Sequence, residues 1–274
     1  TRYNDGLRGG AVKIRARINK VDKRTIAITE IPYTTTSESV KESIVKASEA
    51  GKIKIRSVDD NTASTVELLV HVAAGESIDK TIDALYAFTD CEVSISPNSC
   101  VIRDDKPCFL GVRDILRHNA EHTRELLGQE LQVRLDELAE EWHMASLERI
   151  FIQNKIYQVL EKCKSPEEAY AAVDAALEPF KKLLKREVSR EDVVKLTELK
   201  FIRITRYDLD KADNHIKAVE KETKQVKYDL AHLTDFAIAY FEDIKARYGK
   251  GRERKTEIRS FDSIAQSKVA VVNS

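Results

Sequence analysis

Alternating apolar and polar residues open the chain. Residues 11–18, AVKIRARI, carry an apolar side chain at every second position, with Lys13, Arg15 and Arg17 between them. A period of two predicts a β-strand that buries its apolar face and presents the three cations on the other face. Residues 25–31, TIAITEI, form a second β-rich run, and the short link between the two runs predicts a hairpin.

Further elements predict an α+β domain over about the first 110 residues. Ser37 and Ser77 each precede apolar residues at helical spacing, so each is expected to cap a helix, the first of which ends at Gly51. Additional β-rich runs are predicted as strands at residues 53–58, 65–72, 91–95 and 100–103.

The period becomes helical from Val112 onward. Apolar or core-compatible residues recur in alternating steps of four and three over residues 131–163, with Arg149 as an interruption, and again over residues 212–244. Such a heptad pattern, sustained over four or more heptads, is typical of a coiled coil. The residues between these two heptad segments, about 164–211, are predicted to form short helices. We therefore predict two long antiparallel helices with a small all-helical domain at their tip.

The tip segment is rich in apolar side chains. Ser165 and Ser189 are expected to cap helices there, and seven apolar residues crowd the stretch 193–204. Half of them can fill the core of a small domain, and the excess predicts a surface that associates with a second copy. The expected interface residues are Val193, Leu196, Leu199, Phe201, Ile202 and Ile204.

Charge is unevenly distributed along the chain. Lys and Arg number 46, as do Asp and Glu, so the net charge is zero and a uniformly basic, histone-like protein is excluded. Residues 1–24 nevertheless hold eight basic and two acidic side chains, and residues 245–259 hold seven basic and two acidic. The two basic ends make one basic surface if the fold brings them together.

Other functional classes are disfavoured. The sequence has no apolar run long enough to cross a membrane and no apolar stretch typical of a signal peptide at its start, so a cytoplasmic protein is expected. The four cysteines lack metal-site spacing and are expected to be reduced thiols. His118 and His122 share a helical face, but no third ligand lies nearby in sequence, so no metal site is expected.

Several segments resemble the A subunits of bacterial type IIA DNA topoisomerases, most closely topoisomerase IV and next gyrase. The two best markers are LYAFTDCEVS at residues 85–94 and RYGKGRERKTEI at residues 247–258, and others such as GGAVKIRARI and TEIPYTTT stand in the expected order. The resemblance extends over nearly the whole chain, which supports the α+β assignment of its first part.

The resemblance implies a division into five parts. An incomplete tower, or DNA-shoulder, domain is followed by a coiled-coil arm, a C-gate dimerisation domain, a second arm and a basic return segment toward a further C-terminal domain. Their expected ranges are 1–115, 116–163, 164–206, 207–247 and 248–274.

The resemblance also implies an activity. Enzymes of this family cut one DNA duplex through a tyrosyl-phosphate link, pass another duplex through the break, and act in the nucleoid with a B subunit that supplies ATP hydrolysis and the Mg²⁺ site. The family's nucleophilic tyrosine lies in a winged-helix domain before the tower, and the Arg-Tyr pairs at Tyr3, Tyr207 and Tyr248 lack its motif. We therefore expect a fragment without cofactors that cannot cleave DNA alone.

The candidate DNA contacts lie near the start of the chain. Three cations on one strand face, with no acid between them, repel one another, and a duplex phosphate backbone would offset that repulsion. The expected DNA-binding residues are Arg8, Lys13, Arg15 and Arg17. A solvated sheet face is the alternative interpretation. For the whole chain, the alternative is a structural coiled-coil dimerisation module of a chromosome-organising protein without catalysis.

Overall fold

The computed structural model describes residues 3–260. The chain forms two compact units: one contains the chain up to His118 together with the segment from Arg254, and the other runs from Asn119 to Glu253. The first combines strands and helices, whereas the second is built from helices. The predicted α+β character is therefore confirmed. Residues 261–274 of the expected basic return segment lie outside the described residues.

The first unit contains short strands and two complete helices. In chain order its elements are β1 (Val12–Arg15), β2 (Arg17–Lys20), β3 (Thr25–Glu30), α1 (Ser37–Glu49), β4 (Ile55–Asp60), β5 (Leu68–Val72), α2 (Ile78–Phe88), β6 (Glu92–Ile95), β7 (Cys100–Arg103) and β8 (Lys106–Phe109). Thr36 rather than Ser37 caps α1, because its hydroxyl accepts from the Ser39 amide. Ser77 stands directly before α2 as expected, but its hydroxyl makes no capping hydrogen bond.

A four-stranded antiparallel sheet organises this unit. Its strand order is β2-β3-β5-β4, while β1 pairs with β6 and β7 pairs with β8. The predicted hairpin is formed by β2 and β3. Alternate residues of β3 and β5 pack against α1 and α2, and the fully buried side chains include Ile26, Ile28, Leu68, Val40 and Leu85.

The strand expected over residues 11–18 is two strands, so that prediction was wrong. Ala16 lies between β1 and β2, and its amide donates to the Cys91 carbonyl oxygen at 2.7 Å, where the chain passes from one sheet to the other. Ala16 is buried, but Val12 is 36% exposed rather than buried. Strand pairing decides this break, and the alternation of side chains cannot specify it.

The second unit is helical. Its elements are the long helix α3 (Val112–Gln153), which begins in the first unit, then 3-10 segments at Ile156–Lys162 and Glu178–Leu183, α4 (Pro166–Leu177), α5 (Arg190–Thr197), α6 (Phe201–Thr205), α7 (Leu209–Ala231) and α8 (Leu233–Tyr248). Ser165 and Ser189 cap α4 and α5 as predicted, each accepting a backbone N–H through its hydroxyl.

Helices α3 and α7 pack along the predicted apolar positions. Leu138 of α3 is buried with Val219 and Val226 of α7, and Leu131, Leu135, Trp142 and Leu230 pack around them. Three side-chain contacts flank this core: Arg134 with Glu222, Glu141 with His215, and Arg149 with Asp213. In this order the residue numbers rise along α3 and fall along α7. The two helices are therefore antiparallel, and Asp213 neutralises the charge that interrupts the seam.

Both long helices are shorter than the heptad pattern predicted. α3 ends at Gln153 rather than Cys163, because Lys155 adopts a left-handed conformation with φ of 52°. The second arm breaks at His232, where α7 gives way to α8. The start of α8 lies close to α3: a Cβ at Gly128 would be 2.9 Å from a methyl of Leu233, so a larger residue there would require the Leu233 side chain to shift.

The short helices of the second unit share a core with the end of α3. Leu147 and Phe151 of α3 are buried against Val173 of α4 and against Val193 and Leu196 of α5. The apolar faces of α4 and α5 are thus covered by their neighbours, and the stability of these two short helices comes from this packing rather than from helix propensity.

Candidate nucleic-acid interface and self-association surface

Lys13 and Arg15 of β1 are paired with an acid from the neighbouring strand. Glu92 of β6 lies opposite Arg15; its carboxylate is 2.7 Å from Lys13 Nζ and 2.6 Å from Arg15 Nε. Burial alone would raise the pKa of Glu92, but hydrogen bonds from the two cations outweigh it and lower that pKa below its ordinary value. The expectation that no acid lies among the cations was therefore wrong.

Arg15 is held by an aromatic ring as well as by Glu92. Its guanidinium carbon lies 4.6 Å from the centre of the Tyr86 ring, and the Tyr86 hydroxyl donates to the Ala16 carbonyl oxygen at 3.0 Å. The side chain of Arg15 is only 17% exposed. Arg15 therefore ties β1 to α2, and less of it faces solvent than of Lys13.

Arg17 has different partners because it belongs to the other sheet. Its Nε lies 3.2 Å from Glu30 across the β2–β3 hairpin, and its Nη2 lies 3.1 Å from Glu257 in the basic C-terminal segment. That contact supports the expectation that the two basic ends of the chain meet. The cations predicted as one row are thus divided between two sheets, and each has a carboxylate beside it.

Arg8 lies in the loop before β1 and is exposed. Its carbonyl accepts from the Asn4 side-chain amide at 2.9 Å, and Gly9 follows with φ of 91°, a conformation that favours glycine. Among residues 3–260, no carboxylate lies within ion-pair distance of its guanidinium. Arg8 is thus more available to an anionic ligand than Arg15.

The six expected interface residues divide into three pairs. Val193 and Leu196 are 3% and 1% exposed and belong to the core of their own unit, so their assignment to an interface was wrong. Leu199 and Ile204 are half-buried against that core. Phe201 and Ile202 on α6 are 75% and 55% exposed. The amphipathic spacing did not reveal which residues the unit needs for its own folding.

A partly buried polar network that sequence reasoning missed holds α5 in place. Asp192 accepts from Arg186 at 2.6 and 3.0 Å, from the Ser189 amide at 2.9 Å, and lies 3.1 Å from Nε2 of the buried His143. Arg186 also binds Glu140 of α3. Burial raises the pKa of Asp192, but these hydrogen bonds outweigh it and the net pKa is well below its usual range. The capping signal Ser189-x-x-Asp192 was visible in the sequence.

A cavity of about 740 Å³ opens beside α6. Ile202 and Arg203 line one side of it, and Glu148 of α3 accepts from Arg203 at 2.5 and 3.0 Å. His215 of α7 and Glu141 of α3 also line the cavity and lie 3.2 Å apart. The cavity thus lies next to the exposed pair on α6, and its charged groups are largely paired with one another.

Neither Tyr207 nor Cys91 has the surroundings of an activated nucleophile. Burial raises the pKa of Tyr207 above its ordinary value, and burial raises the pKa of the Cys91 thiol to about 11. Among the described residues, no group of three or more His, Cys, Asp or Glu side chains is arranged to hold a metal ion. Within the same part of the chain, no helix has the length and apolar character needed to cross a bilayer.

Comparisons with known proteins identify the family to which the chain is similar. A model of the DNA gyrase/topoisomerase IV family, built on the A subunits, matches residues 1–243. The chain is 31% identical to the A subunit of DNA topoisomerase 4 from Borreliella burgdorferi, over 99% of this chain and 43% of that protein. It is 22% identical to the DNA gyrase A subunit of Brachyspira hyodysenteriae, over 96% of this chain and 33% of that protein, and 24% identical to the DNA gyrase A subunit of Leptospira biflexa, over 94% and 30%.

The family match extends over most of the chain, so the chain belongs to the family of DNA gyrase and topoisomerase IV A subunits. It spans less than half of the length of the curated relatives it matches. The resemblance read from the sequence motifs is thereby confirmed.

Proposed function

We propose that this chain is part of the DNA breakage-reunion subunit of an ATP-dependent type II DNA topoisomerase. The observation that carries the proposal is the family match over residues 1–243. The α+β unit would then be the tower, or DNA shoulder, and would bind and bend a duplex. A B subunit would supply ATP hydrolysis and Mg²⁺, so this chain would need no cofactor of its own.

The helical unit would form a coiled-coil arm that carries an exit gate. The antiparallel packing of α3 on α7 along a heptad seam supports the arm, and the exposed Phe201 and Ile202 on α6 support self-association. A two-fold contact through one small patch can close and reopen, as strand passage requires, because it buries less surface than an obligate interface. The alternative, a structural module of a chromosome-organising protein, shares the helix pair but gives no reason for the family match.

The DNA contact is proposed for Arg8, Lys13 and Arg17, with Arg15 in a supporting position. A phosphate can displace Glu92 from Lys13 and Glu257 from Arg17, because both cations are at least a third exposed. Such contacts position the duplex without reading its sequence, which suits an enzyme that acts at many sites.

Replacing Arg8, Lys13 and Arg17 together with glutamine should weaken duplex binding equally for unrelated sequences. Each phosphate contact contributes about one unit to the slope of log affinity against log salt, so we expect the slope to fall by about two to three. Fluorescence anisotropy with two unrelated duplexes, from low to moderate salt, measures both quantities. Lys195→Gln on the exposed face of α5 is the matched control. A folded triple variant with unchanged affinity and slope would show that these cations only pair with acids.

The chain alone should produce no DNA cleavage. Tyr207 is half-buried with a raised pKa, and the described residues hold no metal-binding cluster that could activate a tyrosine. Supercoiled plasmid is incubated with the chain, Mg²⁺ and ATP, then treated with detergent and protease and examined for linear or nicked product. Protein-linked breaks above the level of a protein-free control would contradict this prediction.

A further inference from the structure

A small pocket lies at the end of the four-stranded sheet opposite to the end where Arg17 pairs with Glu30. Its volume is about 340 Å³, and it is lined by Arg24, Arg56, His71 and residues 72–74. All of these residues belong to the first unit. The pocket thus brings two arginines and a histidine to one concavity.

The strand register explains why the two arginines converge. Arg24 directly precedes β3, and its carbonyl oxygen accepts from the Val72 amide at 2.8 Å. On the other side of β5, Ile55 pairs with Val72 and Ser57 pairs with His71, so Arg56 is the extra residue of a β-bulge. A bulge re-aims its side chain and is common beside binding sites. The fold therefore places one arginine on each side of the end of β5, and both line the pocket.

The two guanidinium groups lack the acids that accompany the other cations of this sheet. Among residues 3–260, no carboxylate forms an ion pair with Arg24 or Arg56, whereas Arg17 has two such partners and Lys20 has one. The acids nearby have other partners. Asp59 lies 2.9 Å from His71 Nε2, and Asp22 accepts from the Arg24 backbone amide at 2.7 Å rather than from its side chain.

We propose that this pocket binds a phosphate group. A guanidinium presents a planar fork of donors that matches phosphate oxygens, and two such forks in one concavity repel each other until an anion lies between them. Asp59 holds the His71 ring in place, and Ala73 and Ala74 leave space for the ligand. The volume admits a phosphate together with part of the group that it esterifies. Two sources share this chemistry, a nucleic-acid backbone and a free phosphate, and the site goes beyond the DNA contact proposed above.

The first experiment uses inorganic phosphate with the full chain. Phosphate is titrated at constant ionic strength, with chloride as the balancing anion, while NMR follows the Nε–H signals of the arginines and the ring signals of His71. We expect saturable shifts confined to Arg24, Arg56 and His71. Either Arg24→Gln or Arg56→Gln should weaken phosphate binding about tenfold, since each removes charge-assisted hydrogen bonds. Arg103→Gln on β7 is the matched control and should change nothing.

The second experiment identifies the source of the phosphate. Duplex affinity and its salt slope are measured for Arg24→Gln/Arg56→Gln, with thermal unfolding as the control for folding. A slope lowered by about two, with phosphate binding lost, supports a nucleic-acid phosphate in the pocket. An unchanged slope with phosphate binding lost supports a free phosphate. NMR shifts that rise linearly with phosphate concentration without saturating would contradict the proposed phosphate site. Shifts of equal size at Arg103 would contradict it as well. Because the phosphate titration needs no DNA, its outcome is independent of the proposed topoisomerase role.

Discussion

Replacing Phe201 and Ile202 with glutamate should convert a dimer of this chain into a monomer. The two side chains are 75% and 55% exposed on α6, and a large apolar pair at the centre of a two-fold patch contributes most of its binding energy. Four buried carboxylates across such an interface would repel one another, so we expect the dissociation constant to rise by at least about 100-fold. Sedimentation at micromolar concentration should move from near twice 31.1 kDa to 31.1 kDa.

The control for this prediction is Ile102→Glu on β7. Ile102 is 81% exposed, but it lies in the first unit and should leave the dimer intact. Leu199→Glu is a poorer choice, because Leu199 packs against the core of its own unit and its loss would also destabilise the fold. A wild-type chain that sediments as a monomer, or a double variant that remains a dimer, would contradict the proposed gate surface.

Asp192→Asn should destabilise the helical unit by about 3 kcal/mol, among the larger costs of a single substitution. The change leaves Arg186 and the buried His143 facing a neutral amide and weakens the cap of α5. Urea unfolding at pH 7 measures the loss. Glu167→Ala is the matched control, because it removes an ion pair with Arg190, which lies on α5 like Asp192. Both side chains of that pair are about 70% exposed. Exposed pairs of that kind contribute at most about 1 kcal/mol.

The same carboxylate should make the unit sensitive to acid. The pKa of Asp192 is lowered from its ordinary value of 3.8, so the folded state binds its proton less readily than the unfolded state. Stability from this group is therefore present above about pH 4 and is lost as the pH falls below that value. We expect the difference in free energy of unfolding between wild type and Asp192→Asn to shrink steadily as the pH falls from about 4 to about 2. A constant difference over that range would show that Asp192 is not the titrating group.

The elements of the fold were largely predictable because they depend on local patterns. The caps at Ser165 and Ser189, the helix α2 after Ser77 and the hairpin of β2 and β3 all follow from residues close in sequence. The breaks were not predictable. The helices end just before Lys155 and His232 although the heptad pattern continues past both residues. Neither residue is a glycine or proline, the residue types that indicate the end of a helix in a sequence.

The candidate site was predicted less well, because its chemistry depends on partners distant in sequence. Lys13 and Arg15 are 79 and 77 residues from Glu92, and Arg17 is 240 residues from Glu257. The cations themselves were visible, but their neutralisation was not. Arg56 illustrates the same limit, since only the register of β4 against β5 reveals that it lies in a bulge.

Sequence alone determined whether each segment is mainly helical or contains strands, and it determined the family. It could do so because periodicity, caps and long motifs depend on residues that are neighbours in the sequence. It also located the apolar excess at residues 193–204 and the basic ends. Only the tertiary structure decided which of these apolar and basic residues are exposed and available to bind a partner. Val193 and Leu196 are buried in the core of their own unit, while Phe201 and Ile202 are exposed. Burial and charge pairing are properties of contacts between distant segments, so the same residue types can stabilise the fold in one place and remain free to bind in another.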